Sequence, residues 1–538
     1  MAYATTARDA EARRREQYHE ADVVVVGAGV FGCAAAHALA QQGRSVLLLE
    51  RWMREPDRIV GELLQPGGVA ALRRLGLAHC LEGIDAVPCH GYDVVYYGDE
   101  CLIPYPPIDE YGRVAGTRIP AKGFWMPEEH QGTNGHAEHD GDDDDGRRSS
   151  SSSASSTPDA KRPEGRSFHH GRFIMQLRRA CAAHPNITMV ETEATAPIRG
   201  EHTDQVLGVE ARTTNPATGA KEADYFFGGL TVVADGYASK FRQHAGLARQ
   251  PLVRSKFYAL ELIDCPLPHQ GYGHVILGDA YPVLLYQIGA RETRALIDVP
   301  DGLPAAAPSA GGVRGYIRNV VVPALPPPVR PSVLHALDGD EPGSGSGKLR
   351  SMPNSWLPPA RQRANGLILV GDALNMRHPL TGGGMTVALN DVVLLAELLH
   401  PKVTPSLADA KAVRVAMRSF HRRRKPLTGC INVLAQALYA LFAATDPRLR
   451  TLREGCWAYF RRGVVDEPVA MLGGLIHDPV VLFRHFFTVA FLALWLHALE
   501  VMSGPWGVLM APLAVVDAVL ILWKACVVFL PVMWRELQ

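Results

Sequence analysis

Three glycines at fixed spacing carry the strongest chemical signal in the sequence. Gly27, Gly29 and Gly32 follow the β-branched run 22–26 and open an alanine-rich segment that predicts a helix. In such a strand–turn–helix unit the first glycine allows a tight turn, the second lets the backbone approach a pyrophosphate, and the third lets helix and strand pack closely. Glu50 ends the next apolar run, where an acid can bind a ribose hydroxyl. This spacing predicts a dinucleotide-binding βαβ unit.

Two later turns also follow strand-like runs. Asp235 ends one such run and precedes a glycine, and Asp372 follows a glycine at the end of another. Asp372 can accept a hydrogen bond from a flavin ribityl hydroxyl. The triple-glycine turn around Gly383 opens a helix at Met385 and can direct N–H groups at a flavin ring. Each turn alone is common, but their order along the chain favours a flavin site.

The pattern of elements predicts an α/β fold class. The three turns in this order resemble those of flavoprotein monooxygenases built like the aromatic hydroxylases. This resemblance implies a Rossmann-like FAD-binding domain of the glutathione-reductase and aromatic-hydroxylase type that is interleaved with a β-rich substrate domain, and we expect a helical membrane-associated module to follow. Two polar or Pro/Gly-rich stretches read as insertions, the first of them disordered. The predicted boundaries are a polar tail (1–20), a first FAD-binding segment with the start of the substrate domain (21–125), an acidic and Ser-rich insertion (126–166), a second FAD-binding segment (167–245), the substrate domain (246–350) with its Pro/Gly/Ala-rich insertion (301–347), a third FAD-binding segment (351–400) and the C-terminal region (401–538).

Composition excludes several classes of function. Lys plus Arg and Asp plus Glu both number 55, so a binder that relies on neutralising nucleic-acid phosphates is not expected. The nine cysteines are scattered and form no Cys-x-x-Cys pair, which argues against a disulfide framework and against a metal site. The charged first 20 residues do not fit a signal peptide.

The C-terminal tail contains three apolar runs, at 486–499, 501–516 and 525–534. Each is shorter than the roughly 20 residues that a spanning helix needs, and Pro505, Pro512 and Pro531 interrupt them. We therefore expect helices that lie in or dip into one leaflet, or else a buried helical hairpin. Four tryptophans are suited to the membrane interface: Trp495, Trp506, Trp523 and Trp534.

Longer motifs resemble the squalene monooxygenase (squalene epoxidase) family in its fungal form. They are GELLQPGG at 61–68, FHHGRF at 168–173, SMPN at 351–354, NMRHPLT at 375–381 and NVLAQALY at 432–439. The resemblance runs from about Ala21 to the C-terminus outside the two insertions. It implies an FAD enzyme of the endoplasmic reticulum membrane with a cytosolic catalytic domain. Such an enzyme converts squalene to (S)-2,3-oxidosqualene with dioxygen, through a flavin C4a-hydroperoxide, in sterol (ergosterol) synthesis.

The same resemblance implies roles for individual residues. FAD contacts are implied at Val30, Phe31, Glu50, Arg51, Arg58, Arg172, Asp372 and Met385. Tyr92, close to Gln65, is implied to line the substrate and inhibitor pocket. Tyr92 either fixes geometry indirectly through a hydrogen bond or is an aromatic packing residue. His169, His170 and His378 are either acids or, as we favour, satisfied histidines beside the cofactor domain.

The absence of a second nucleotide-binding signature indicates that NADPH acts indirectly. The family implies a separate NADPH–cytochrome reductase in the same membrane. The basic run 421–425 could face that reductase or acidic lipid, or it could be a solvated helix end. Other functions remain open at this point. A flavin reductase of geranylgeranyl type would share the cofactor motifs, and a prenyl-binding GDI-like escort protein would keep the dinucleotide architecture without redox chemistry. A noncatalytic homologue is the third alternative.

Overall fold

A computed structural model describes residues 19–109, 113–114, 162–247, 249–339, 349–503 and 507–537. Most of the predicted polar tail and most of the predicted insertion 126–166 lie outside these residues. Residues 162–166 of that insertion are described, and its last two, Gly165 and Arg166, belong to a strand. Two large sheets, one small sheet and a C-terminal set of helices make up the described residues.

The first sheet contains the predicted βαβ unit. Its six strands are β1 (Glu20–Val26), β2 (Val46–Glu50), β8 (Ile187–Arg199), β9 (Val206–Thr214), β10 (Lys221–Val233) and β16 (Leu367–Leu369). Parallel pairing runs β8-β2-β1-β10-β16, and β9 joins the extended ends of β8 and β10 as an antiparallel strand. The carboxyl ends of β1, β10 and β16 therefore lie side by side, which brings the three predicted turns to one edge of the sheet.

The second sheet has seven strands in the order β15-β11-β14-β13-β12-β5-β6. They are β5 (Gly91–Tyr96), β6 (Asp99–Pro104), β11 (Leu252–Ile263), β12 (Gly273–Leu277), β13 (Val283–Gln287), β14 (Glu292–Pro300) and β15 (Arg350–Trp356). Its pairs are antiparallel except for β5 and β12. The predicted antiparallel sheet beside the parallel one is confirmed. However, β15 pairs with β11, so residues 350–356 belong to this sheet and not to the FAD-binding segment predicted from residue 351.

A small sheet and three helices complete the N-terminal half. The small sheet consists of β3 (Leu63–Leu64), β4 (Val87–Cys89) and β7 (Gly165–Ser167), and the helices are α1 (Val30–Gln41), α2 (Pro66–Arg74) and α3 (His170–Ala182). Helix α1 is buried along almost its whole length because alanine side chains let it pack closely against its neighbours. This close packing fixes the direction of the α1 N-terminus, which opens at the sheet edge.

Residues 301–339 differ from the predicted surface insertion. They form α4 (Gly312–Tyr316), a π-helical turn (Ile317–Val321), α5 (Val322–Ala324) and α6 (Arg330–Asp338), with short 3₁₀ turns between them. Tyr316, Ile317 and Leu337 are buried against the outer face of the second sheet. The prolines in this segment stand in the first turns of short helices, where their missing N–H group costs little. Residues 340–348 of the predicted insertion lie outside the described chain.

Seven helices form the described C-terminal region: α7 (Gly384–Leu398), α8 (Ala410–Arg423), α9 (Lys425–Ala443), α10 (Pro447–Arg461), α11 (Asp466–Leu472), α12 (Pro479–Ser503) and α13 (Gly507–Leu537). The apolar runs of the tail belong to two long helices, because α13 continues through Pro512 and Pro531. Lys524 of this helix pairs with Asp446 at 2.6 Å, which ties α13 to the start of α10. The expectation that the tail is too short to span a membrane is therefore wrong, because the helices that contain these runs are long enough.

By length and composition, α9, α12 and residues 511–537 of α13 could each cross a membrane. Helix α9 is mostly enclosed by the protein, whereas α12 and α13 leave large apolar side chains exposed. Trp495, Trp523 and Trp534 are each more than 60% exposed, and Trp506 lies outside the described residues. This exposed surface is compatible with association with a membrane.

Candidate active site

The glycine turn between β1 and α1 leaves room for a ligand at one position only. Gly27 has φ +99°, and a Cβ there would lie 2.6 Å from the carbonyl oxygen of Ala234. A Cβ at Gly32 would lie 1.8 Å from the Gly27 oxygen, so helix and strand touch at this point. At Gly29 a Cβ would meet no atom within 4 Å. The backbone at Gly29 therefore faces open space, as a bound pyrophosphate requires.

A long cleft extends from this turn along the edge of the first sheet. Its lining is rich in cations: Arg51, Arg54, Arg58, Arg178, Lys240 and Arg350. Glu50 also lines it, and its Oε2 accepts a hydrogen bond from the Ala28 N–H at 2.8 Å. Asp235 is largely buried in the wall with Oδ1 lacking a partner among the described residues, and burial raises the pKa of its carboxyl. Cations for phosphates and carboxylates for ribose hydroxyls are the groups that FAD needs.

Two arginines of α3 differ in their position relative to the cleft, and the resemblance implied an FAD contact for only one of them, Arg172. Arg172 lies at the surface with Nη1 3.8 Å from Asp85, and it does not line the cleft. Arg178 does line it, pairs with Glu50 at 3.3 Å and donates from Nε to the Ala28 oxygen at 3.1 Å. The implied FAD contact at Arg172 stays a prediction. Arg178 was missed, although a basic residue on the buried apolar face of a helix was a readable signal.

An inner cavity continues the cleft towards the second sheet, and the two share Gly29 and Arg58 in their linings. Val30, Phe31, Asp372 and Met385 also line the inner cavity. The first turn of α7 opens onto it and contains no acidic residue, so its N–H groups present an uncompensated positive end. Gly383 lies behind this surface, because a Cβ there would be 2.4 Å from Ile431 Cγ2.

Two of the histidines near these cavities, His170 and His378, are neutral. Burial lowers the pKa of both His170 and His378 to about 3. His170 Nδ1 lies 2.8 Å from the Gly61 oxygen, and His378 stacks on Tyr439 with ring centroids 3.8 Å apart. His169 Nε2 is buried with no partner among the described residues. At neutral pH His170 and His378 therefore do not carry an acidic proton.

Gln65 and Tyr92 meet at the far end of the inner cavity. Gln65 Nε2 donates to the Tyr92 hydroxyl at 2.7 Å and to the Thr381 oxygen at 2.8 Å. The Tyr92 hydroxyl lies 3.1 Å from the same oxygen and donates to it, and Tyr105 donates to Gln65 Oε1. Burial holds the pKa of Tyr92 well above its usual range, so the phenol is neutral. The network joins β5, the start of α2 and the turn before α7.

A third, apolar cavity lies beyond Tyr92. It encloses about 980 Å³, some of it open to solvent, and it shares Tyr92, Val275 and Leu380 with the inner cavity. Helices α9 to α13 supply most of its wall, including Leu438, Phe442, Phe460, Val469, Phe486 and Phe529. Such a lining suits a long hydrocarbon without polar groups. The cleft, the inner cavity and the apolar cavity are thus arranged in series.

A buried ion pair in the wall of the inner cavity was also missed. Arg294 donates from Nε and Nη2 to the two oxygens of Glu62, each at 2.9 Å, and the Tyr286 hydroxyl donates to Glu62 at 3.3 Å. Both Glu62 and Tyr286 line the inner cavity. Because these residues come from distant segments, no local sequence pattern connects them.

One group of possible metal ligands lies on the opposite face of β5 from Tyr92. Asp93 is completely buried, with Oδ2 2.9 Å from His269 Nδ1 and 3.5 Å from His274 Nε2. The sequence prediction of no metal site considered cysteine spacing and did not include this group. Its hydrogen bond to His269 already gives the carboxylate a partner, and the absence of a metal stays a prediction.

Solved structures show which fold the chain has. A flavin-dependent brominase superimposes with TM-score 0.58 at 14% identity, covering 87% of this chain and 98% of that chain. The p-nitrophenol 4-monooxygenase of Pseudomonas putida DLL-E4 gives TM-score 0.56 at 18% identity, with the same coverages of 87% and 98%. These identities show the fold alone. A model of FAD-dependent oxidoreductases matches residues 22–55, so the chain is a flavoprotein with the FAD-dependent monooxygenase fold.

Sequence relatives define the family. The squalene epoxidase family model matches residues 227–514. A squalene epoxidase of Gibberella zeae is 60% identical over 100% of this chain and 99% of its own length, and one of Aspergillus fumigatus is 49% identical over 98% and 96%. A squalene monooxygenase of Mus musculus is 38% identical over 96% of this chain and 78% of its own length. The chain belongs to the squalene epoxidase family, and the isoprenoid-reductase and escort alternatives find no support in these comparisons.

Proposed function

We propose that this protein epoxidises squalene to (S)-2,3-oxidosqualene in sterol synthesis. One oxygen atom of dioxygen is added across a terminal double bond, the other leaves as water, and two electrons come ultimately from NADPH. The observation that carries this proposal is the serial arrangement of the cavities. A long apolar cavity meets the inner cavity of a flavoprotein at Tyr92, Val275 and Leu380.

The cleft and the inner cavity fit FAD. Gly29 offers an open backbone, the cations of the cleft suit the pyrophosphate, and Glu50 and Asp235 have carboxylate oxygens for ribose hydroxyls. Asp372 and the N-terminus of α7 would hold the flavin end in the inner cavity. FAD, when bound, supplies the activation of dioxygen.

The residues of this chain position the alkene and exclude water. The apolar cavity directs one end of the hydrocarbon to its junction with the inner cavity, where Tyr92 stands. Gln65 and Thr381 hold the Tyr92 hydroxyl in place, which makes Tyr92 a positioning residue in our account. The alkene needs no general base, in keeping with the neutral histidines and phenol around the site.

A separate NADPH–cytochrome reductase is the electron donor that the family favours. The basic run 421–425 offers less surface for such a partner than its composition suggests. Arg423 pairs with Glu397 at 2.7 Å, Arg424 with Asp391 at 2.6 Å, and Lys425 donates to a backbone oxygen of α13. We therefore do not place the docking surface there.

The exposed apolar surface of α12 and α13 supports attachment to the lipid bilayer, and the family favours the endoplasmic reticulum with a cytosolic catalytic domain. Squalene dissolves in lipid and hardly in water, so an attached enzyme can take it directly from the bilayer. Phe486 of α12 and Phe529 of α13 also line the apolar cavity. Removing these helices would therefore open the substrate site as well as detach the protein.

The test is the mass of the product in ¹⁸O₂. Purified full-length protein in lipid nanodiscs is incubated with squalene, FAD, NADPH and a microsomal reductase. The expected product is squalene heavier by one ¹⁸O atom and absent when the reductase is omitted. Protein that is loaded with FAD and reduced by the reductase, yet yields no oxygenated squalene, would refute the proposal.

A further inference from the structure

The last turn of α13 carries an acid that is completely buried. Glu536 has no exposed surface, whereas Trp534, two residues earlier, is 68% exposed. Its Oε2 accepts a hydrogen bond from Asn432 Nδ2 at 2.7 Å, and its Oε1 accepts one from Trp356 Nε1 at 3.3 Å. The end of the tail is therefore docked into the body of the protein by a hydrogen-bonded carboxyl group, unlike the apolar surface before it.

A continuous chain of hydrogen bonds leads from Glu536 to the inner cavity. Asn432 Nδ2 also donates to Asn375 Oδ1 at 2.9 Å, and Arg377 Nη2 donates to the same oxygen at 3.3 Å and to the Asn375 carbonyl at 2.7 Å. Arg377 Nη1 donates to the oxygen of Gly384, the first residue of α7, at 3.3 Å. Arg377 and Gly384 both line the inner cavity.

Ionisable side chains along this series of hydrogen bonds also interact through their charges. Four ionisable side chains are buried together: Arg377, Arg424, Asp391 and Glu536. Arg424 is already matched, because it donates from Nε and Nη2 to Asp391 at 2.6 to 3.1 Å. With Asp391 matched to Arg424, the acids that favour the charged form of Arg377 are Asp372, which has the larger effect, and the fully buried Glu536. Loss of the Glu536 carboxyl would therefore leave the buried Arg377 less compensated.

We propose that Glu536 is a positioning residue for the flavin: through Asn432 and Asn375 it holds Arg377 and the segment 375–385 in the shape that receives the cofactor. The tail then belongs to the cofactor site as well as serving as a membrane attachment. This inference rests on the proposed placement of FAD in the inner cavity.

The test compares two acid-to-amide variants in the full-length protein in nanodiscs. Glu536→Gln keeps the shape of the side chain and removes its charge. Glu500→Gln is the matched control, because Glu500 is an exposed acid of α12 outside the three cavities. Hydrogen exchange of segment 375–385 is measured without FAD, and the FAD dissociation constant and the flavin reduction potential are measured with it.

For Glu536→Gln we expect hydrogen exchange about tenfold faster in segment 375–385 than in wild type, and FAD binding about tenfold weaker. The reduction potential should become more positive, because a less compensated Arg377 stabilises the extra negative charge of reduced flavin. Glu500→Gln should match wild type in all three measurements. Trp356→Phe removes the other donor to Glu536 without a charge change, and it should speed exchange in the same segment if Glu536→Gln fails to fold.

Two results would overturn the proposal. One is wild-type exchange, FAD affinity and potential in Glu536→Gln. The other is exchange that is faster throughout the described chain rather than in segment 375–385, which would make Glu536 a residue of general stability only. A wild-type protein that binds no FAD would instead count against the proposed function, and the exchange measurement without FAD would still test the role of Glu536.

Discussion

The hydroxyl group of Tyr92 can be removed without removing its aromatic ring, so the effect of its hydrogen bonds on substrate position can be tested apart from the packing of the ring. Tyr92→Phe keeps the ring that forms the wall between the inner and apolar cavities. It removes one oxygen atom, which accepts from Gln65 Nε2 at 2.7 Å and donates to the Thr381 oxygen at 3.1 Å. The variant therefore distinguishes a positioning residue from an aromatic packing residue.

The geometry sets the size of the expected effect. Each buried hydrogen bond contributes about 0.5–1.5 kcal/mol net, and a buried donor left without a partner adds to the loss. Gln65 Nε2 keeps its bond to the Thr381 oxygen at 2.8 Å, but its second N–H loses the Tyr92 oxygen. Together, the lost hydrogen bonds and the unpaired N–H group cost about 1–3 kcal/mol of free energy. If that energy holds the alkene in its reactive position, kcat/KM falls by roughly 5- to 150-fold.

The assay is steady-state epoxidation of squalene by the two proteins in nanodiscs, with FAD content and melting temperature measured on the same samples. Tyr97→Phe is the control, since it removes a tyrosine hydroxyl that donates to Asp279 at 2.7 Å on the exposed surface. We expect a normal kcat/KM for the control. A Tyr92→Phe enzyme with wild-type kcat/KM and normal FAD content would refute the positioning role and leave Tyr92 as packing.

Three further predictions follow from the geometry. Gly27→Ala should prevent stable FAD binding, seen as loss of flavin absorbance after purification, because its Cβ would lie 2.6 Å from a carbonyl oxygen. Ala437→Leu extends a side chain into the apolar cavity and should raise the KM for squalene about tenfold. Burial raises the pKa of Asp298 from 3.8 to about 6, so the folded protein binds a proton that the unfolded chain releases. As the pH rises from 4 to 6, the free energy of unfolding of wild type should therefore fall by up to roughly 3 kcal/mol relative to that of Asp298→Asn. Thermal unfolding of both proteins across this pH range measures the difference.

Two of these predictions have a matched control variant. Gly43→Ala shares a positive φ, +85°, but its Cβ would meet nothing within 4 Å, so it should retain FAD. Ala440→Leu lies on the same helix as Ala437 and outside the cavity lining, and it should leave KM unchanged. Flavin retention in Gly27→Ala, or equal KM changes in the two α9 variants, would contradict the geometry. Parallel pH profiles for wild type and Asp298→Asn would contradict the raised pKa.

Local patterns predicted the features of the fold that depend on neighbours in sequence. The turn at Gly27 and the acid at Glu50 belong to one βαβ unit, whose spacing is dictated by backbone geometry. Asp235 and Asp372 follow buried strands, and parallel pairing of those strands places both turns at one sheet edge. The β-rich second sheet was predictable from alternation and aromatic content.

The features that the sequence did not predict depend on contacts between residues far apart in the chain. Residues 301–339 look like a loop because of their prolines, yet Ile317 and Leu337 are buried against a sheet formed by distant strands. The tail appeared to consist of short apolar runs because prolines and single charged residues interrupt them, yet α13 continues through Pro512 and Pro531 and through Lys524, which pairs with Asp446. The same holds for Glu536, whose role depends on partners more than 100 residues away.

The central claim is that one end of squalene reaches the inner cavity at Tyr92 through the apolar cavity. A squalene analogue with a diazirine at one terminus, irradiated in FAD-loaded protein and mapped by peptide mass spectrometry, tests it directly. We expect insertion at Tyr92, Val275 or Leu380, suppressed by excess squalene. Insertion confined to lipid-facing residues such as Trp495 and Trp523, with none at the junction, would contradict it.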